Sequence, residues 1–146
     1  MSLTVKITAP IFEKLSDLKE EYGFNELGLA VSGGSDSLAM LYICNDWAQK
    51  NKVKLHCLTV DHKLRSESAK EAELVANHCS GLGINHEIVE WKHEGNISGN
   101  LSDSARSARY KLIDKWRKDL SFVLVGHTKN DQIETFFMNL KRGSGI

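Results

Sequence analysis

The segment with the clearest chemistry runs Leu29-Ala30-Val31-Ser32-Gly33-Gly34-Ser35-Asp36-Ser37-Leu38-Ala39-Met40. An apolar run leads in, two glycines and three serines form the middle, and an apolar stretch of helical character follows. Gly33 and Gly34 let the backbone turn tightly and approach a ligand, while the helix beyond offers unpaired N–H groups and the positive end of its dipole. The hydroxyls of Ser32, Ser35 and Ser37 can add hydrogen bonds to phosphate oxygens. The segment therefore reads as an anion cradle. It lacks the G-x-x-x-x-G-K-[ST] of a Walker loop and the G-x-G-x-x-G of dinucleotide folds. An aspartate in a phosphate loop repels its ligand unless a cation stands between them, so Asp36 points to Mg²⁺. The plainer reading is a simple turn with Asp36 favouring the helix dipole; the strand before and the helix after weigh against it.

The elements that must hold this loop follow from periodicity. Four short runs rich in β-branched residues and leucine, Leu27 to Val31, Val53 to Val60, Ile84 to Trp91 and Phe122 to Val125, read as strands. Between them lie stretches with helical stripes: Ile11, Leu15, Leu18 and Tyr22; Ala69, Ala72, Ala76 and Cys79; Ala105, Ala108, Leu112 and Trp116; and Ile133, Phe136, Phe137 and Leu140. The helix from Ser37 to about Gln49 is apolar almost throughout, as suits one buried beside a central strand. Alternation of this kind predicts an α/β fold: an open parallel sheet flanked by helices on both faces. Lys92 to Ser104, with two glycines and two asparagines, reads as a mobile loop.

Composition limits the alternatives. The chain has 146 residues, 41% hydrophobic and 26% charged, which excludes disordered, collagenous and disulfide-scaffold classes. Its 19 basic and 19 acidic residues cancel, so a nucleic-acid partner has to be engaged by a local patch. Cys44, Cys57 and Cys79 lack C-x-x-C pairing and read as small buried hydrophobes in a reducing compartment. His56, His78, His86 and His93 show no ligand spacing, and Trp47, Trp91 and Trp116 read as core or core-edge residues. With no secretory h-region and no apolar run of about 20 residues, a cytoplasmic protein with no membrane partner is expected.

Ser32-Gly-Gly-Ser-Asp-Ser resembles the PP-loop of the N-type ATP pyrophosphatases, which split ATP between its α and β phosphates and activate a substrate as its adenylate. Four further segments resemble those of tRNA(Ile)-lysidine synthetases. They are Asp61-His62-Lys63-Leu64-Arg65 with Ser68, Ala105-Arg106-Ser107-Ala108-Arg109-Tyr110, His127-Thr128-Lys129-Asn130-Asp131-Gln132-Ile133-Glu134-Thr135, and Arg142-Gly143-Ser144-Gly145. They occur in family order from Leu29 to Gly145. The one departure is Asn130, where the family has the first of two adjacent acidic residues.

The resemblance implies a Rossmann-like sheet of the adenine nucleotide alpha hydrolase type. It also implies that residues 1–146 are an N-terminal PP-loop ATP pyrophosphatase domain, truncated before its last strand and the C-terminal domains. The implied reaction attaches L-lysine to C2 of the wobble cytidine of tRNA(Ile) with a CAU anticodon, using ATP and Mg²⁺. Asp36, Arg109 and Asp131 are the expected catalytic residues, with Asp36 and Asp131 holding the metal. Ser32, Gly33, Gly34, Ser35, Asp36, Ser37, Asp61 and His127 are expected to bind ATP; Ser32, Asp61 and His127 each fall just after an expected strand. By charge alone, Arg106 and Arg109 belong to a solvated basic face with Lys111, Lys115, Arg117 and Lys118; the resemblance assigns Arg109, with Arg106 beside it, to the α-phosphate or the flipped-out base. His62 follows a strand without a motif of equal weight, and Arg65 serves either the loop or the tRNA. The resemblance allows a homodimer. A tRNA thiolase of the same superfamily and a non-catalytic ATP-binding module are the competing readings.

Overall fold

The computed structural model describes the backbone of residues 3–7, 11–32, 35–61, 67–91, 111–116, 120, 122–129 and 132–139, with side chains over 11–32, 37–61, 67–91, 111–116, 120 and 122–125. In chain order the elements are β1 (Leu3–Ile7), α1 (Ile11–Tyr22), β2 (Glu26–Ala30), α2 (Ser35–Asn51), β3 (Lys54–Asp61), α3 (Ser68–Leu82), β4 (Asn85–Glu90), β5 (Phe122–Lys129) and β6 (Gln132–Asn139), with residues 111–116 also helical. They build one sheet in the order β1-β6-β5-β2-β3-β4.

The central strands are parallel. β2 lies between β3 and β5, with Ala30 opposite Leu58 on one side and Val125 on the other, and β3 pairs in parallel with β4. Alternation sends successive side chains to opposite faces. Leu27, Leu29, Leu55, Cys57, Phe122 and Leu124 join Ile11, Leu15, Met40, Leu41, Trp47 and Val75 of α1, α2 and α3 in one core. Ala30, Leu58, Val123 and Val125 face the other way, onto Ile113 and Trp116 of the second layer. The expected helices on both faces are thus present. Gly28 belongs to that second face, where a Cβ would meet Val123 at 3.0 Å and Leu120 and Trp116 at 3.1 Å. Its missing side chain lets the helical residues 111–116 lie close to β2.

Four expectations change. The stretch carrying Ile133, Phe136, Phe137 and Leu140 is expected to be helical, yet Gln132–Asn139 is a strand, antiparallel to both β5 and β1. Its density of Ile, Thr and Phe suits a pleated surface, and only two residues separate it from β5, a connection of hairpin length. β1, which has no counterpart in the sequence reading, covers the far edge of β6. The sheet is therefore mixed among the described residues: β6 alone runs against the other five strands and pairs antiparallel with both of its neighbours. α2 is amphipathic and not buried all round: Ser37, Met40, Leu41, Cys44, Trp47 and Ala48 face inward while Tyr42 is 43% exposed. α3 turns its Val75 face inward with Ala72 and Cys79, leaving Ala69 exposed. Ala105, Ala108 and the expected loop from Lys92 to Ser104 lie outside the described residues.

Candidate functional site

The glycine-containing loop leaves the sheet at its middle. After β2, the Val31 N–H donates to the Leu58 carbonyl at 2.9 Å, extending the parallel ladder by one residue before the chain turns away. Only Gly33 and Gly34 separate Ser32 from the first residue of α2. Ser37, in the first turn of α2, is 8% exposed, and its Oγ accepts the Ser32 backbone N–H at 3.0 Å. That bond ties the end of the strand to the first turn of the helix. The first four N–H groups of α2 have no partner within the helix, so the end of α2 that adjoins β2 carries donors and partial positive charge. A phosphate is the natural ligand of such a place.

Neighbouring strands bring further groups to the same edge. Ala30 is level with Leu58 and Val125, and two residues further along the three segments come Ser32, Val60 and His127, with Asp61 next in β3. At an interstrand spacing of ~4.8 Å, the ends of β3 and β5 stand about 10 Å apart across β2. Asp61 closes β3 as a carboxylate residue only 4% exposed, and its carbonyl accepts the Trp91 N–H at 2.8 Å, prolonging the pairing with β4. An acidic residue buried at the carboxyl end of a parallel strand, beside the switch of strand order around β2, stands where open α/β sheets bind ligands.

Ser32, Ser37 and Asp61 are thus brought to one edge, together with the backbone of Ser35, Asp36 and His127. His127 is not past the end of its strand, as expected, but within β5, opposite Glu134, because β5 runs four residues further than its apolar run. Gly33, Gly34, Asp131, Arg109, Arg106, Asn130, His62 and Arg65 lie outside the described residues, as do the side chains of Ser35, Asp36 and His127. The hydroxyl of Ser37 has a role that its residue type does not reveal, as acceptor for the loop's own backbone. Sequence reasoning also passed over Thr59, 3% exposed two residues before Asp61, whose Oγ1 meets His86 Nε2 at 2.9 Å. A separation of 27 residues carries no local signal of that contact.

A mostly parallel sheet covered on both faces, with a glycine loop entering a helix beside its central strand, defines a doubly wound α/β domain. The family model described as a PP-loop domain matches residues 7–146, and the chain belongs to that family. Among full-length relatives, a tRNA(Ile)-lysidine synthase of Wolbachia pipientis wMel is 46% identical over 126 residues, covering 84% of this chain and 29% of the relative. Another of the same name, from Ruegeria pomeroyi, is 47% identical over 122 residues, 82% of this chain and 29% of the relative. The chain therefore spans about three-tenths of the length of these relatives. Among solved structures, the U34-tRNA thiolase NcsA from Methanococcus maripaludis, with its 4Fe-4S cluster, superposes at a TM-score of 0.64 over 84% of this chain and 48% of its own. At 20% identity that likeness is one of fold. No helix among the described residues is long and apolar enough to cross a membrane.

Proposed function

We propose that the protein carrying this chain is an ATP-dependent ligase that joins lysine to C2 of the wobble cytidine of tRNA(Ile) with a CAU anticodon. The C2 oxygen attacks the α-phosphate of ATP, pyrophosphate leaves, and the lysine amine then displaces AMP from the adenylated base. The observation that carries this reading is the 46–47% identity to proteins named tRNA(Ile)-lysidine synthase across more than four-fifths of the chain. The convergence of Ser32, Ser37 and Asp61 at the edge where α2 begins supports it.

In this reading the loop of Ser32, Gly33, Gly34, Ser35 and Ser37, with the N-terminus of α2, binds the pyrophosphate. Charge builds there and on the α-phosphate as the P–O bond breaks, so fixed donors dominate over acid–base groups. Asp36 and Asp131 supply carboxylate oxygens, the donors that Mg²⁺ takes, and the ion offsets negative charge on the phosphates. Asp61 and His127 line the nucleotide, and Arg109 contacts the α-phosphate or the base. Residues 1–146 are the ATP-activating part of a longer cytoplasmic enzyme, and most tRNA contacts lie on the rest.

The test is to incubate the complete protein with ATP, Mg²⁺, labelled lysine and unmodified isoleucine tRNA. Label transferred to the tRNA with one pyrophosphate released per lysine is the expected result. A thiolated base without label would make it a tRNA thiolase, and ATP binding with no turnover on any tRNA would make it a nucleotide-binding module.

A further inference from the structure

Behind the nucleotide edge, in the core between the sheet and its helices, three potential metal ligands meet. Cys57 of β3 and His86 of β4 are partners in the parallel register, and Cys79 comes from the last turn of α3. The two sulfurs and one ring nitrogen of His86 all lie within 4.8 Å of one another. Cys57 is 1% exposed, Cys79 fully buried, and His86 half-buried. We propose that Cys57, Cys79 and His86 form a site for a zinc-class metal ion, which clips α3 to the β3–β4 pair.

The geometry suits a tetrahedral ion. Sulfurs at about 2.3 Å and an imidazole nitrogen at about 2.0–2.1 Å from Zn²⁺ stand roughly 3.5–3.8 Å from each other, a spacing these side chains reach with little movement. Two thiols and an imidazole are also the donor set of a borderline-soft cation, unlike the carboxylates that serve Mg²⁺. His86 Nε2 bonds to Thr59 Oγ1 at 2.9 Å, which orients the ring and leaves Nδ1 for the ion. A partner of this kind on the far nitrogen is the usual support of a ligating histidine.

The backbone holds the three together before any ion arrives. Gly83, at φ 73°, caps α3, and the Ile84 N–H donates to the Cys79 carbonyl at 2.9 Å, so the turn bearing Cys79 is fastened to the entry of β4. Binding then releases two protons: the ion exchanges them for two thiolate bonds and takes the neutral imidazole as a third ligand, with water in the fourth position. Cys44 of α2 lies in the same core but outside this ligand group. The proposal stands apart from the lysine-transfer reading, since it concerns other residues and a different ion.

The complete protein, stripped of metal under reducing conditions, is titrated with Co²⁺ as a spectroscopic probe. Thiolate-to-cobalt charge-transfer absorption saturating at one ion per chain, displaced by Zn²⁺, is expected. Thr59→Val, which keeps all three ligands, should weaken Co²⁺ binding about 10–100-fold. Cys79→Ser should abolish most of the absorption, and Cys44→Ala should leave it intact. A folded protein that gives no charge-transfer absorption would overturn the site. So would absorption unchanged in both Cys79→Ser and Thr59→Val, or isolation of Cys57 and Cys79 as a disulfide that takes up no metal after reduction.

Discussion

The Ser32 backbone N–H donates to the Oγ of Ser37 across 3.0 Å, closing the loop between β2 and α2 on itself. This bond ties the residue after β2 to the first turn of α2 without help from a ligand. Ser37→Ala removes the acceptor from a site that is 8% exposed. The expected cost is about 1 kcal/mol of stability, read by urea unfolding. The same variant should weaken ATP binding several-fold, read by calorimetry on the complete protein, because the cradle is then ordered at the ligand's expense.

Asp36 stands second in α2, beside the two glycines. Asp36→Asn keeps the shape and the helix-terminal position while removing the charge proposed to hold a divalent cation. Pyrophosphate release should fall about a hundredfold or more, since metal charge stabilisation is worth several kcal/mol. The melting temperature should stay near that of the parent. Undiminished release would remove Asp36 from any metal role.

Gly28 is the point of closest approach between β2 and the second layer. Gly28→Ala drives a methyl into Val123, Leu120 and Trp116, and the loss of stability should be about 1–3 kcal/mol by chemical denaturation. Trimming the crowding side chain in the double variant Gly28→Ala/Trp116→Leu should recover part of that loss. An additive double variant would show that the strain lies elsewhere.

Trp47 anchors α2 to α1. Its ring is fully buried, stacks at a tilt on Phe24 with centroids 6.1 Å apart, and its Nε1–H donates to Ser16 Oγ at 2.9 Å. Trp47→Ala should cost about 3–5 kcal/mol. Trp47→Phe, which keeps the apolar mass and leaves Ser16 without its donor, should cost less. Urea midpoints of the two variants check the order.

Much of the site is written in residue types that act locally. Ser32 and Asp61 were legible as positions because each ends an apolar run, and a polar residue there marks where a strand gives way to the connection beyond it. His127 was placed one element feature too late: hydropathy falls after Val125, but β5 continues to Lys129 because β6 pairs with it through Gly126, His127, Thr128 and Lys129. Likewise Ile133, Phe136, Phe137 and Leu140 satisfy a helical stripe, and a pattern of that length does not exclude a strand. Phe136 lies opposite Val125 on one side and Lys6 on the other, and those partners are distant in the chain.

By itself the sequence determined the parallel α/β order of the central elements, a helix following β2 after a short connection and the burial of the three cysteines, since each depends on side-chain type within a few residues. The Ile11 and Leu15 face of α1 was legible as a stripe, but only the tertiary structure decided how α3 is rotated. It rotated the inner face of α3 so that Val75 joins Ala72 and Cys79 while Ala69 is exposed, and it brought Cys79 beside Cys57 and His86. The physical reason is that helix rotation and strand register are set by packing and hydrogen bonds between distant segments. A register that matches Cys57 with His86, under a helix end capped by Gly83, exists only once β3, α3 and β4 have docked.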